Sequence, residues 1–85
     1  MLDRRVEAVS VYDDIIGRLS GWNEPDMDEY VAAALAYKGN TLEDMGRSEE
    51  AIAAYDDLIA RFAPSADPSI VEYVATAQAN RQSAS

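Results

Sequence analysis

Between Glu50 and Phe62 the chain reads EAIAAYDDLIARF, with apolar residues Ala51, Ile52, Tyr55, Leu58, Ile59 and Phe62 at i, i+1, i+4, i+7, i+8 and i+11. That spacing lines one stripe of an α-helix and leaves Glu49, Glu50, Asp56, Asp57 and Arg61 largely outside it. Ser48 is placed to cap the start, Glu49 and Glu50 suit the positive end of the helix dipole, and Pro64 stops the helix just past Phe62. A second pattern runs from Pro25 to Met45, with Tyr30, Val31, Ala34, Leu35, Lys38, Leu42 and Met45 on one side. Pro25 suits the first helical position, Asp26, Asp28 and Glu29 occupy the first turn, and Gly46 can end the helix in the left-handed region. The Gly46–Arg47 corner is short, so these two helices must return as an antiparallel hairpin. By the same logic one helix covers about Asp3–Leu19 and another about Pro68–Arg81, the latter capped by Asp67. The links SGWNEPD and APSADP are polar and hold all three prolines.

The four helices are two copies of one unit. Sliding the chain on itself by 43 residues sets 1–42 against 44–85 without a gap, and fifteen of those 42 pairs are identical. They include Arg4/Arg47, Ala8/Ala51, Tyr12/Tyr55, Asp13/Asp56, Asp14/Asp57, Ile16/Ile59, Arg18/Arg61, Pro25/Pro68 and Tyr30/Tyr73. Val9/Ile52, Ile15/Leu58 and Leu19/Phe62 are conservative pairs between them. Self-similarity at this period is the mark of stacked supersecondary units, none of which can bury its apolar stripe alone.

Composition narrows what such a stack could do. At 85 residues the chain is one domain, with 48% hydrophobic residues, fifteen alanines and only seven Gly plus Pro, so it is no disordered tail. The absence of Cys and His removes disulfides, thiol nucleophiles, thiolate metal sites and the commonest general base. No apolar run nears the roughly 20 residues of a membrane span, and MLDRRVEAVS lacks the apolar core of a signal peptide, so a cytoplasmic protein is expected. The net charge of −9 makes nucleic acid and anionic membranes poor partners, since both need a basic patch. Two readings of the acidity stand: a solvated surface suited to high salt, or steering toward a basic partner. The scatter of the acids along the chain favours the first.

Leu35, Gly39, Gly46, Ala51, Tyr55 and Pro64, within LAYKGNTLEDMGRSEEAIAAYDDLIARFAP, resemble a tetratricopeptide repeat. That family's unit is a helix pair with a large residue and a glycine in the first helix, a glycine at the corner, an alanine and an aromatic in the second helix, and a proline near its end. The intervals from Gly39 through Gly46 and Ala51 to Tyr55 have the family's spacing. The period here is longer than the family's usual 34 or so by about nine residues. Leu58 replaces a small residue, and Pro64 comes one place late. Gln78 and Gln82 stand where Leu35 and Gly39 stand in the other copy. The resemblance implies an all-α, right-handed stack of antiparallel helix pairs. Residues 1–22 would supply the second helix of a truncated repeat, 23–64 one full repeat, and 65–85 the first helix of the next. On this reading the chain is a segment of a longer repeat protein.

Chemistry is the function to eliminate first. Asp13–Asp14 and Asp56–Asp57 are adjacent on helices and point about 100° apart, so they do not converge as catalytic carboxyls must. A solvated helix face explains them. The acidic stretch EPDMDE lacks the geometry of a calcium loop, and no phosphate-cradling glycine loop or serine–base pair exists. The expectation is a chain without enzymatic activity, cofactor or metal.

Binding is what the resemblance implies. First helices of such repeats line a concave groove for a peptide or extended segment of a partner protein. Carried over by position, that face here is Ala33, Ala36, Tyr37 and Asn40, then Thr76, Ala79 and Asn80. Asn40 matches an asparagine of the family's carboxylate clamp. Ala36, Ala79 and Thr76 stand where its basic residues belong, which argues against acidic C-terminal peptides. Tyr12, Tyr30, Tyr55 and Tyr73 recur in phase and read as inter-helix packing. Trp22 breaks the repeat and reads either as a lid over the apolar surface that a missing hairpin partner leaves, the preferred reading, or as a contact anchor for a partner. The expected function is a non-catalytic protein-interaction scaffold. The alternative is self-assembly, a homodimer through open repeat ends that expose Val9 and Ile16.

Overall fold

The computed structural model describes residues 4–19, 21 and 25–84, and these form four α-helices and no strand. The helices are α1 (Arg4–Leu19), α2 (Pro25–Asp44), α3 (Ser48–Phe62) and α4 (Pro68–Ala84). Trp22 lies outside the described residues, and with it the lid expected there. The fold measures 39 × 27 × 15 Å across its principal axes.

The corner between α2 and α3 is built by one glycine. Gly46 has φ 77°, a left-handed backbone that a Cβ would strain. Its N–H donates to the Glu43 carbonyl and the Arg47 N–H to the Leu42 carbonyl, both at 2.9 Å. This is the double closure of a Schellman turn. The turn also corrects the expected cap: Arg47, not Ser48, occupies the N-cap position of α3, and it makes no side-chain cap bond. Gly46 turns the chain so sharply that the residue closing α2 is the one opening α3. At α4 the expected cap is present, with the Ser69 N–H donating to Asp67 Oδ1 at 2.9 Å. α3 ends at Phe62, two residues before Pro64.

α2 is the hub, packing against α1, α3 and α4, while α3 also packs on α4. Among the described residues α1 approaches no helix other than α2. Directions follow from the paired residues. Arg5 Nη1 donates to the Asp44 carbonyl at 2.8 Å and Lys38 Nζ lies 2.5 Å from Asp13 Oδ1, so α1 runs antiparallel to α2. Tyr37 meets Tyr73 and Asn40 meets Asn80, so α2 and α4 run the same way.

The core joins Val31, Ala32, Leu35, Ala36 and Leu42 of α2 to Ala51, Tyr55 and Leu58 of α3 and to Ile70, Val74 and Ala77 of α4. Each of the large side chains contributes about 1.5–3 kcal/mol by leaving water. α1 adds no fully buried residue; its Val9, Ile16 and Leu19 pack on the edge of the cluster. The centre of the core is a close crossing, since a Cβ placed on Gly39 would overlap the ring of Tyr55. Tyr30 departs from its expected place on the inner side of α2 and is 59% exposed. A hub helix covered by three neighbours buries several faces at once, Ala32 and Ala36 as well as Leu35. One stripe cannot represent that.

The repeat appears as repeated contacts. Asp13 pairs with Lys38 across α1 and α2, and 43 residues on Asp56 pairs with Arg81 across α3 and α4. Arg18 Nε donates to Asp14 at 3.0 Å and Arg61 Nε to Asp57 at 2.9 Å. All four adjacent aspartates are thus held in surface ion pairs.

Candidate functional site

The helices α2 and α4 run side by side, and their small residues leave a cleft of about 320 Å³ between them. Ala36, Tyr37, Tyr73 and Thr76 line it, and Glu29, Ser69 and Glu72 line it where both helices begin. Asn40 lies toward the far end. The two tyrosine rings meet edge to face with centroids 6.5 Å apart, a favourable aromatic geometry. On its other side Tyr37 stacks obliquely on Tyr12 at 6.1 Å, so the groove wall is tied to α1.

Behind Asn40 a polar cluster fixes one end of the cleft. The Tyr55 hydroxyl donates to Asn40 Oδ1 at 2.8 Å, and Asn80 Nδ2 donates to the same oxygen at 2.8 Å. Burial, then the neighbouring Glu43 carboxylate, pushes the Tyr55 hydroxyl up to about 12. Glu43 Oε1 is buried, and the described residues give it no hydrogen-bond partner. The Tyr73 hydroxyl is also raised, first by burial, then by Tyr37 and the Glu29 and Glu72 carboxylates.

Four of the seven residues expected on a binding face line this cleft, namely Ala36, Tyr37, Asn40 and Thr76. Ala33, Ala79 and Asn80 do not. Ala33 is half-buried and Ala79 is exposed beyond the rim, while Asn80 serves as the brace of Asn40. Helical spacing put all seven on one side of their helices, but which of them line the cleft depends on how α2 and α4 pack on each other. Tyr73, Glu29, Glu72 and Ser69 complete the lining. Their signal in the sequence was the phase of Tyr30/Tyr73 and Glu29/Glu72, which repeats at residues facing a groove as well as at residues packing helices together.

Among the described residues no cation lines the cleft. Among the described residues no three His, Cys, Asp or Glu side chains gather as a metal site, and no helix is long and apolar enough to cross a membrane. No family model, curated protein or solved structure matches the chain.

Proposed function

We propose that this chain is a non-catalytic protein-interaction module, built as a tetratricopeptide-like stack, that holds a peptide or helix of a partner protein in the cleft between α2 and α4. The observation that carries the reading is the cleft itself, which lies between α2 and α4, the first-type helices of the two copies as α1 and α3 are the second-type, and includes Ala36, Tyr37, Asn40 and Thr76. The neighbour pattern supports the stack: each second-type helix packs on the following first-type helix through the same ion pair 43 residues apart. The aspartate pairs fit a chain without catalysis, since each carboxylate is engaged in a solvent-exposed ion pair with a Lys or Arg rather than with a second carboxylate.

The lining selects for charge. Glu29 and Glu72 border the cleft with no cation among their neighbours there, and the tyrosine faces suit a guanidinium or ammonium. A segment carrying Lys or Arg fits, and an acidic one does not. Peptides selected from a random displayed library on the full chain should be enriched in basic and aromatic residues. Tyr73→Ala should weaken the best of them at least about tenfold, or 1.4 kcal/mol. Selected peptides that are acidic, or that bind Tyr73→Ala unchanged, would contradict the reading.

Self-association is the second reading, and the 55% exposure of Val11 on α1 is what favours it. Val9 and Ile16, expected to be open, instead pack on the edge of the core, so the test falls on Val11: a dimer dispersed by Val11→Asp in sedimentation belongs to self-assembly and a monomer to the module.

A further inference from the structure

The Tyr37 and Tyr73 rings in the α2–α4 cleft are inclined at 76°, with centroids 6.5 Å apart. Their faces look in nearly perpendicular directions, and a cation seated in the corner between them can lie within the ~6 Å of each centroid at which a ring attracts it. Neither ring is sealed in the core, since Tyr37 is 49% exposed and Tyr73 is half-buried. Both are braced, Tyr37 by the Tyr12 ring at 6.1 Å and Tyr73 by the core cluster. Glu29 and Glu72 line the same cleft and are exposed. Burial first, then the charge and hydrogen bond of Tyr37, then those two carboxylates raise the Tyr73 hydroxyl. The two hydroxyls thus engage each other beside an anionic rim.

Building on the peptide reading of the cleft, we propose that this corner seats a trimethylated lysine side chain of the partner's segment. Shape separates the three cations that a protein segment offers. A guanidinium is flat and stacks on one ring face at a time, which uses half of a corner whose walls stand 76° apart. A bare lysine ammonium is compact and strongly hydrated, and it must find acceptors for three N–H bonds as it sheds that water. The Asn40 oxygen is already taken by Tyr55 and Asn80, and the Tyr37 and Tyr73 hydroxyls are engaged with each other. A trimethylammonium has no N–H to satisfy, carries its charge on a rounded apolar surface, and meets both rings at once. Glu29 and Glu72 balance that charge from the rim without having to touch it. The cleft volume of about 320 Å³ is at the small end for ligand cavities and suits one such side chain.

The probes are N-acetyl-lysine amide, its trimethylated form, and a neutral analogue with carbon in place of the quaternary nitrogen. Each is titrated into the isotopically labelled full chain and followed by NMR. The trimethylated form should shift residues 36–40 and 72–76, and bind at least about fivefold more tightly than either of the others. Tyr37→Phe and Tyr73→Phe keep the ring faces and should retain that preference. Tyr37→Leu, at an exposed position, should keep the helical melting transition and remove the preference. Equal binding of the methylated and unmethylated probes, a neutral analogue as tight as the charged one, no saturable shift in the cleft, or a preference that survives Tyr37→Leu would each overturn the inference. Choline binding more tightly than the trimethylated probe would assign the corner to a free small cation and overturn it too. The broader reading is decided separately by the selected peptides: basic segments bound without regard to methylation leave it standing while this inference falls.

Discussion

Tyr12 and Tyr55 are the same residue in two copies of one sequence, and the structure treats them differently. Both stand on second-type helices next to an aspartate that reaches the following helix, Asp13 to Lys38 and Asp56 to Arg81. Each also meets the residue one place earlier on that helix: Tyr12 touches the ring of Tyr37, and Asn80 sits beside the Tyr55 hydroxyl. Yet Tyr55 is wholly buried while Tyr12 is half-buried. The forward contact is encoded in the repeat. Burial needs a neighbour on the other side too, and only α3 has one, in α2. A repeated sequence thus repeats interfaces, and stability is distributed by how many of them each copy completes.

Truncation of the two tyrosines gives the largest contrast. Tyr55→Ala opens a cavity beside Gly39 and strips the donor from Asn40, so about 3–5 kcal/mol of stability is lost, a large share of the roughly 5–15 kcal/mol of an ordinary domain. Tyr12→Ala should cost roughly 1–2 kcal/mol, the value of a half-covered ring. Chemical denaturation read by circular dichroism measures both, and equal losses would break the comparison.

Alkaline titration gives a smaller effect. The Tyr55 hydroxyl titrates near 10 when unfolded and about 12 in the fold, so the folded state favours the neutral phenol. Its contribution is therefore complete below pH 10 and is lost as pH rises through 12, a change on the order of 2–3 kcal/mol. Tyr55→Phe should flatten that part of the stability profile while costing about 1 kcal/mol at neutral pH for the missing hydrogen bond. Part of the slope should survive through Tyr73, whose hydroxyl is also raised; a slope undiminished in Tyr55→Phe would place its origin elsewhere.

The ion pairs should show the least. Double-mutant cycles on Asp13/Lys38 and Asp56/Arg81 should each give below about 1 kcal/mol, because both pairs are solvent-screened. The two couplings should agree within roughly 0.5 kcal/mol, the ordinary scatter of such cycles. A clear inequality there would mean that the forward interfaces are not copies after all.

Most of the architecture was legible because it rests on local rules. Pro25 and Pro68 open helices, Gly46 closes one, Asp67 caps one, and the apolar spacing of Ala51–Phe62 gives a single stripe that the structure buries. What was not legible depends on how helices cross. Tyr30 and Tyr73 are identical in pattern, yet Tyr73 walls the cleft and Tyr30 is mostly in water, since only Tyr73 has a preceding first-type helix beside it. Ala33 and Ala79 were expected on the binding face for their spacing, and neither lines the cleft that α2 and α4 form. Ser48 lost its capping role to a turn whose geometry was set two residues earlier.

Gly39 and Tyr55 share one volume divided between two helices. The ring occupies the room that a side chain at 39 would take, so neither position can drift alone: a methyl gained on α2 must be matched by a smaller ring on α3. At Gln82, the counterpart of Gly39 one repeat on, the same position carries a long polar side chain. Size at a single site in this fold is thus a property of a pair.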